Sequence, residues 1–197
     1  MAHKRFFRGV LQTFLQHTLF IPCPHGEVTS GGIRLHNRLT EGHAHNYFEY
    51  FLITSGSIIH IVNDRETLLG PGNLVFIRSS DYHQYGPNRE GNCQLINISF
   101  TASHFESACQ FLGEDIKQRL LSPADPPTIA LSASRTAQLA KDYDFLNFFT
   151  GDIRSLQVRL KLLLIDVLGI FIKYPTEKEY RSFKDWLEGM LEKMNTQ

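Results

Sequence analysis

Between Ile33 and Phe100 the apolar residues come in short runs that alternate with polar ones, and turn-forming residues close each run. IRLHNRL, FEYFLIT, IIHIV, ETLL, NLVFI and CQLINISF are separated by TEGH, SGS, ND, GPG, RSSD and GPNREGN. β-Branched and aromatic side chains at period two, cut repeatedly by Gly, Asn, Asp and Pro, predict an antiparallel sandwich or barrel. Asn63-Asp64 reads as a hairpin turn. Gly70-Pro71-Gly72 supplies the positive φ and the fixed proline φ of a second tight turn.

After Phe100 the period becomes helical. ASHFESACQFLGEDIKQRLL carries a glycine near its middle and predicts two short helices, and SPADPPT is a loop because its prolines forbid regular structure. Ser132 or Ser134 caps a helix predicted to run through Phe149, and Thr150-Gly151-Asp152 breaks the chain before the next. From Ile153 onward, Leu156, Leu160, Leu163, Leu164, Val167, Leu168 and Phe171 form one row, with Arg154, Gln157, Arg159, Lys161 and Asp166 largely outside it. That row is richer in leucine than one face against a small domain requires. Its surplus either covers a partner helix or is buried between the sheet and its neighbours. Two further amphipathic helices are predicted, over Phe6 to Leu15 and over Phe183 to Met194.

Composition narrows the class. A chain of 197 residues supports one sizeable core, or a domain with a helical appendage. Lys and Arg number 20, as do Asp and Glu, so the chain lacks the field of a protein that binds nucleic acid by itself. Cys23, Cys93 and Cys109 are scattered and odd in number, which suits reduced, buried thiols and a cytoplasmic location. The basic N-terminus is not expected to be a signal peptide, since Arg8, Gln12, Gln16 and His17 interrupt its apolar run. The stretch from Leu160 to Ile172 contains Lys161 and Asp166 and is too short to cross a bilayer.

The candidate chemistry lies in GHAHNYFEYFLITSG, Gly42 to Gly56. If that segment is extended without a bulge, His43, His45 and Glu49 project to one face together with Phe51 and Ile53, which marks the face as inward. Ionisable groups sent inward must be paired, hydrogen-bonded or bound to a cation. His83, after a short strand and a turn, is the candidate fourth ligand. Three imidazoles and a carboxylate suit Fe(II), Mn(II), Ni(II), Cu(II) or Zn(II), with positions left for water or ligand. The alternative is a hydrogen-bonded polar cluster that touches a ligand directly, without an ion. Tyr47, Phe51 and Tyr85 offer flat ring faces to a ligand or pack in the core, His60 faces the cavity or lies in the wall outside it, and Arg78 is a cation for a ligand carboxylate or phosphate or a solvated surface arginine.

These residues resemble the cupin superfamily. His43, His45, Glu49 and Gly56 match its first signature, H-x-H-x-x-x-E with a glycine after six further residues, and Gly72 and His83 match part of the second. Arg78, Ser80, Pro87 and Asn37 stand where the signatures carry proline, glycine, asparagine and glycine. More narrowly, the strands from His43 to His83, the leucine-rich helix and the helix DWLEGMLEKM are similar to the sensor part of AraC-type transcription regulators, in the branch that includes the chitobiose-operon regulator. The resemblance implies a mainly β fold with added α: a jelly-roll (double-stranded β-helix) barrel that binds a mono- or oligosaccharide effector, followed by helices that form a homodimer. The implied organisation is a barrel with its N-terminal helix over residues 1–102, a helical dimerisation segment over 103–175, and a linker helix over 176–197. DNA is then contacted only through a helix-turn-helix region that this chain lacks. A metal-dependent cupin enzyme, a dioxygenase or sugar isomerase, is the competing reading. It needs a second acid or base, for which only Tyr85 and His60 present themselves.

Overall fold

The computed structural model describes residues 28–35, 40–86, 88, 93–147 and 152–173. Their order is β1 (Val28–Leu35), β2 (Phe48–Ser55), β3 (Ile58–Val62), β4 (Arg65–Leu69), β5 (Asn73–Ile77), β6 (His83–Gly86), β7 (Cys93–Phe100), α1 (Ala102–Leu112), α2 (Glu114–Leu121), β8 (Thr128–Ala130), α3 (Ala133–Asn147) and α4 (Ile153–Lys173). A five-stranded sheet in the order β1-β7-β2-β5-β8 stands beside a three-stranded sheet in the order β4-β3-β6, with antiparallel pairing throughout. The expected jelly-roll barrel followed by helices is therefore the observed fold.

Both predicted turns form. Asn63 and Asp64 sit at φ 48° and 66°, the pair of positive values that a two-residue hairpin between β3 and β4 needs. Gly72 sits at φ 90°, and a Cβ there would lie 2.7 Å from the carbonyl oxygen of Leu131, so only glycine fits. Three strands depart from the expectation. β1 begins at Val28 and takes in Thr-Ser-Gly-Gly, whose weak strand propensity is overridden by pairing along β7 from Val28↔Phe100 to Leu35↔Cys93. β6 occupies a stretch read only as a turn and a histidine. β8 forms after Phe100, where strands were expected to stop, and returns from the helical stretch to pair with β5. Four and three residues are too few to show a period of their own; tertiary pairing holds them.

The helices follow the pattern more closely. Gly113, at φ 106°, ends α1 with its N–H on the carbonyl of Cys109 (2.8 Å), and α2 starts at the next residue. Ser132, rather than Ser134, caps α3, accepting from the N–H of Arg135 (3.2 Å). Asp152 does the same for α4 through Ser155 (3.0 Å). The helices predicted over Phe6 to Leu15 and Phe183 to Met194 lie outside the described residues.

The two sides of the larger sheet carry separate cores. Phe48, Tyr50 and Leu52 of β2 join Leu74, Phe76, Ile96, Ile98, Phe100 and Ile129 beneath the four helices. Phe51 and Ile53, the alternate residues, join Ile58, Leu69, Val75, Ile77, Tyr85, Cys93 and Leu95 inside the barrel. β2 is consequently buried on both faces over Phe48 to Ile53. The leucine row of α4, for which a partner helix was considered, is instead consumed within the chain. Leu156, Leu160, Leu163, Leu164, Val167, Leu168 and Phe171 are all buried in the outer core, while Val158 and Leu162 of that helix are large apolar groups left exposed.

Candidate functional site

The inner face of β2 changes character toward its start. Ile53 and Phe51 are fully buried hydrocarbon, but Glu49, next on the same face, is a carboxyl group 3% exposed. Asn97 Nδ2 donates to Glu49 Oε2 (3.3 Å), and Ser99 also bonds the carboxylate. Burial pushes the Glu49 carboxyl up to about 7, against the pull of those two hydrogen bonds. Asn97 and Ser99 were not singled out from the sequence. Their signal was parity: in CQLINISF the inward positions of β7 are Cys93, Leu95, Asn97 and Ser99, and two of the four are polar.

His45 and His83 close on this carboxylate from two directions. His45 Nε2 is 3.5 Å from Glu49 Oε2, and His83 Nε2 is 3.8 Å from Glu49 Oε1. One donor atom from each of the three residues lies within 4.8 Å of the others. The premise of an unbroken extended chain from His43 to Glu49 does not hold, because the backbone bends at Asn46 and Tyr47 before β2 starts. His45 reaches the cluster from that bend, its Nδ1–H donating to the carbonyl of Tyr47 (2.7 Å) while its ring stacks on the Tyr47 ring at 4.0 Å and 4°. This fixes the tautomer and leaves Nε2 to face Glu49.

His43 stands at the rim. Its backbone makes a two-way bridge with His83 (3.0 and 2.9 Å), which pins the incoming segment along β6. Its exposed ring lies 4.5 Å from that of His83, but it contributes no atom to the close group of three. The structure thus brings together three of the four expected ligands. Burial, with His43, His60 and His45 nearby, drives the His83 imidazole down to about 3; burial alone drives His60 to about 4. His45 is also lowered by burial, although its bond to Tyr47 opposes the shift. These shifts favour the neutral form of the His45, His60 and His83 imidazoles, the state in which imidazole ligates metals.

The remaining expected residues divide. Phe51 and Tyr85 are buried below the cluster, with rings 5.6 Å apart and edge-on, and His60 stacks on Tyr85 at 5.3 Å. Arg78 is not available to an effector, and the reason is local. It is 7% exposed, and its Nε and Nη2 grip Asp81 at 2.9 and 2.8 Å while Nη1 and Nη2 bond the carbonyls of Pro123 and Ala124. This fork staples the β5–β6 turn to the loop before β8. Burial pushes the Asp81 carboxyl up, but hydrogen bonds from Arg78 and Asn63 outweigh it and hold the carboxyl below its usual range. Cys93 and Cys109 are buried free thiols pushed up to about 11, in keeping with a packing role; Cys23 lies outside the described residues.

The residues fit a metal on their own chemistry. His45 Nε2 and His83 Nε2 are buried with no hydrogen-bond partner among the described residues, and both face a buried carboxylate. Tyr85 Oη and Asn97 Oδ1 are buried and unpartnered in the same neighbourhood. Unsatisfied polar groups of this kind cost stability unless something bonds them, and a cation offsets the burial of Glu49 at the same time.

A two-sheet jelly roll with a polar cluster gathered at one end of its interior is a cupin-type ligand-binding barrel. Residues 27–146 match the family described as AraC-like ligand binding domain, which is more than half of the chain, and the chain belongs to that family. No curated protein matches it in sequence. Among solved structures it is similar to a cupin protein from Bacteroides fragilis (16% identity, 39% of this chain, 67% of that one, TM-score 0.37). It is similar also to a Cupin 2 conserved barrel domain protein from Salinispora arenicola (13%, 39%, 66%, 0.37) and to a protein from Photorhabdus luminescens (21%, 47%, 74%, 0.37). The chain spans about two thirds of the first two. At these scores they carry no argument about this chain, whose fold is defined by its own strand order and register. Among the described residues no helix is long and apolar enough to cross a membrane.

Proposed function

We propose that this chain is the effector-sensing and dimerising part of an AraC-type transcription regulator of the cytoplasm, with a divalent metal ion in the barrel and a mono- or oligosaccharide as effector. The observation that carries the reading is the convergence of unpartnered buried donors and acceptors, on His45, His83, Tyr85 and Asn97, around Glu49. Membership of a ligand-binding family supports reading that convergence as a binding site. Glu49 and the Nε2 atoms of His45 and His83 would hold Zn(II), Ni(II), Fe(II), Mn(II) or Cu(II), and when bound such an ion supplies a Lewis-acidic anchor for effector oxygens. Tyr85 Oη and Asn97 Oδ1 then bond effector hydroxyls, and Tyr47 and His43 form the rim. The sugar class rests on the likeness to the chitobiose-operon branch. In a regulator of this type, DNA contact is made by a helix-turn-helix region.

The dimer contact in this reading runs over α3 and α4; the exposure of Phe145, Val158 and Leu162, each half or more exposed, supports it, with Arg159 4.8 Å over the Phe145 ring. One observation favours a second reading, a metal-dependent enzyme: a buried carboxyl near 7 beside neutral imidazoles is what a proton-transfer group requires. A thermal-shift screen with mono- and disaccharides, with and without chelator, separates these. The sensor reading expects a sugar-dependent rise in Tm that chelator diminishes. Absence of a rise with every sugar removes the sugar class, and indifference to chelator removes the ion. Turnover of a sugar or consumption of oxygen by the metal-loaded chain replaces the sensor with the enzyme.

A further inference from the structure

His60 contributes no atom to the group of three donors, yet it is 3% exposed and its ring is fixed on three sides. It stacks on Tyr85 at 25°, meets Phe51 edge-on at 5.0 Å and 86°, and meets His83 edge-on at 5.7 Å and 89°. The strand register causes this. His60 lies opposite Tyr85 and Val62 opposite His83, so His60 and His83 are diagonal neighbours on one face of the β3–β6 pair. His60 Nε2 is 3.5 Å from His83 Nδ1.

An imidazole binds metal through a nitrogen that carries a lone pair, and the partner of its other nitrogen decides which one that is. For His45 the partner is the Tyr47 carbonyl. For His83 the group facing Nδ1 is His60 Nε2, at 3.5 Å. We infer that His60 is a positioning residue, accepting the Nδ1 proton of His83 and so holding that ring with Nε2 turned to Glu49 and His45. This rests on the reading of His45, Glu49 and His83 as metal ligands. His60 is not a ligand itself, because its Nε2 faces the far side of the His83 ring. Two ligand histidines are thus set by different devices: one by a backbone carbonyl two residues away, the other by a side chain from a neighbouring strand.

Cobalt(II) titration of the 197-residue chain, with a competing chelator, tests this, because the visible spectrum of Co(II) reports its ligand set. Wild type is expected to take up one equivalent, and Glu49→Ala to lose that uptake. His60→Phe is expected to bind about 10- to 100-fold more weakly, with a changed spectrum but a native far-UV circular dichroism signal. His60→Gln, whose side-chain carbonyl accepts the same proton, is expected to restore both affinity and spectrum to near wild type. Should His60→Phe fail to fold, His60→Leu takes its place. Wild-type affinity and spectrum in the Phe or Leu variant overturn the role of His60 alone, and so does equal weakening by Phe and Gln, which marks a packing effect. A wild-type chain that takes up no Co(II) overturns the metal centre and the role of His60 with it.

Discussion

The two cores that share the larger sheet are built on opposite principles. The outer core, under the helices, is closed hydrocarbon: Phe76, Phe100, Phe105 and Phe171 are at most 1% exposed, and Phe48 and Phe76 each lie within 6.3 Å of several of these rings. The inner core begins the same way around Phe51 and Ile53, then gives over one end to a carboxyl, three imidazoles, a phenol and an amide. The outer core stabilises the domain. The inner one gives up part of that stability to buried polar atoms with no hydrogen-bond partner among the described residues.

The largest effect expected on this contrast is from Phe76→Ala, which opens a cavity in the outer core. It should cost about 4 kcal/mol in denaturant unfolding, and a cost under about 1 kcal/mol would deny the outer core its role. Next comes Arg78→Met. It leaves Asp81 buried without its cation and should cost about 3 kcal/mol; a neutral result would show that the staple to the loop before β8 is idle.

Glu49→Gln is expected to act in the opposite direction in the metal-free chain. The folded pKa of Glu49, about 7, lies above the ordinary 4.5. Its protonated form is favoured by folding, so its contribution is fully present below pH 4.5 and is lost as pH rises through 7. The variant should therefore melt with wild type at pH 4 and be more stable above pH 8, by on the order of 2–3 kcal/mol, while losing metal uptake. Equal melting curves at every pH would mean that the carboxylate is paid no penalty for its burial. The smallest effect on stability is expected from Val158→Ser with Leu162→Ser, within about 0.5 kcal/mol. Sedimentation should nonetheless show a dimer of the parent chain shifting to monomer, and an unchanged dimer would move the contact elsewhere.

The barrel was legible wherever a strand was long enough to show its own alternation, as in FEYFLIT and CQLINISF. It was illegible in β6 and β8, which exist only because β3 and β5 hold them. In the site, Glu49 and the two signature histidines His45 and His83 were legible from spacing, and Phe51 and Ile53 from parity. The bend at Asn46 and Tyr47 was not, since nothing local distinguishes it from continued strand, and it carries His43 to the rim. Arg78 illustrates the limit most sharply. A cation near a predicted site reads as a ligand contact, but its true partners are Asp81, three residues on, and two carbonyls more than forty residues away. The capacity of β7 to furnish Asn97 and Ser99 was open to the same parity argument that found Glu49.

β2 has no face turned to solvent over its first six residues. Glu49 looks into the barrel, and Tyr50, whose Cα is about 3.8 Å further along the backbone, looks into the helical layer that α3 and α4 complete. The strand works as a party wall: whatever leans on one side is felt in the rooms on the other. Any displacement of Glu49 meets packed side chains on both faces of the strand, with no solvent layer between the barrel interior and the helical core.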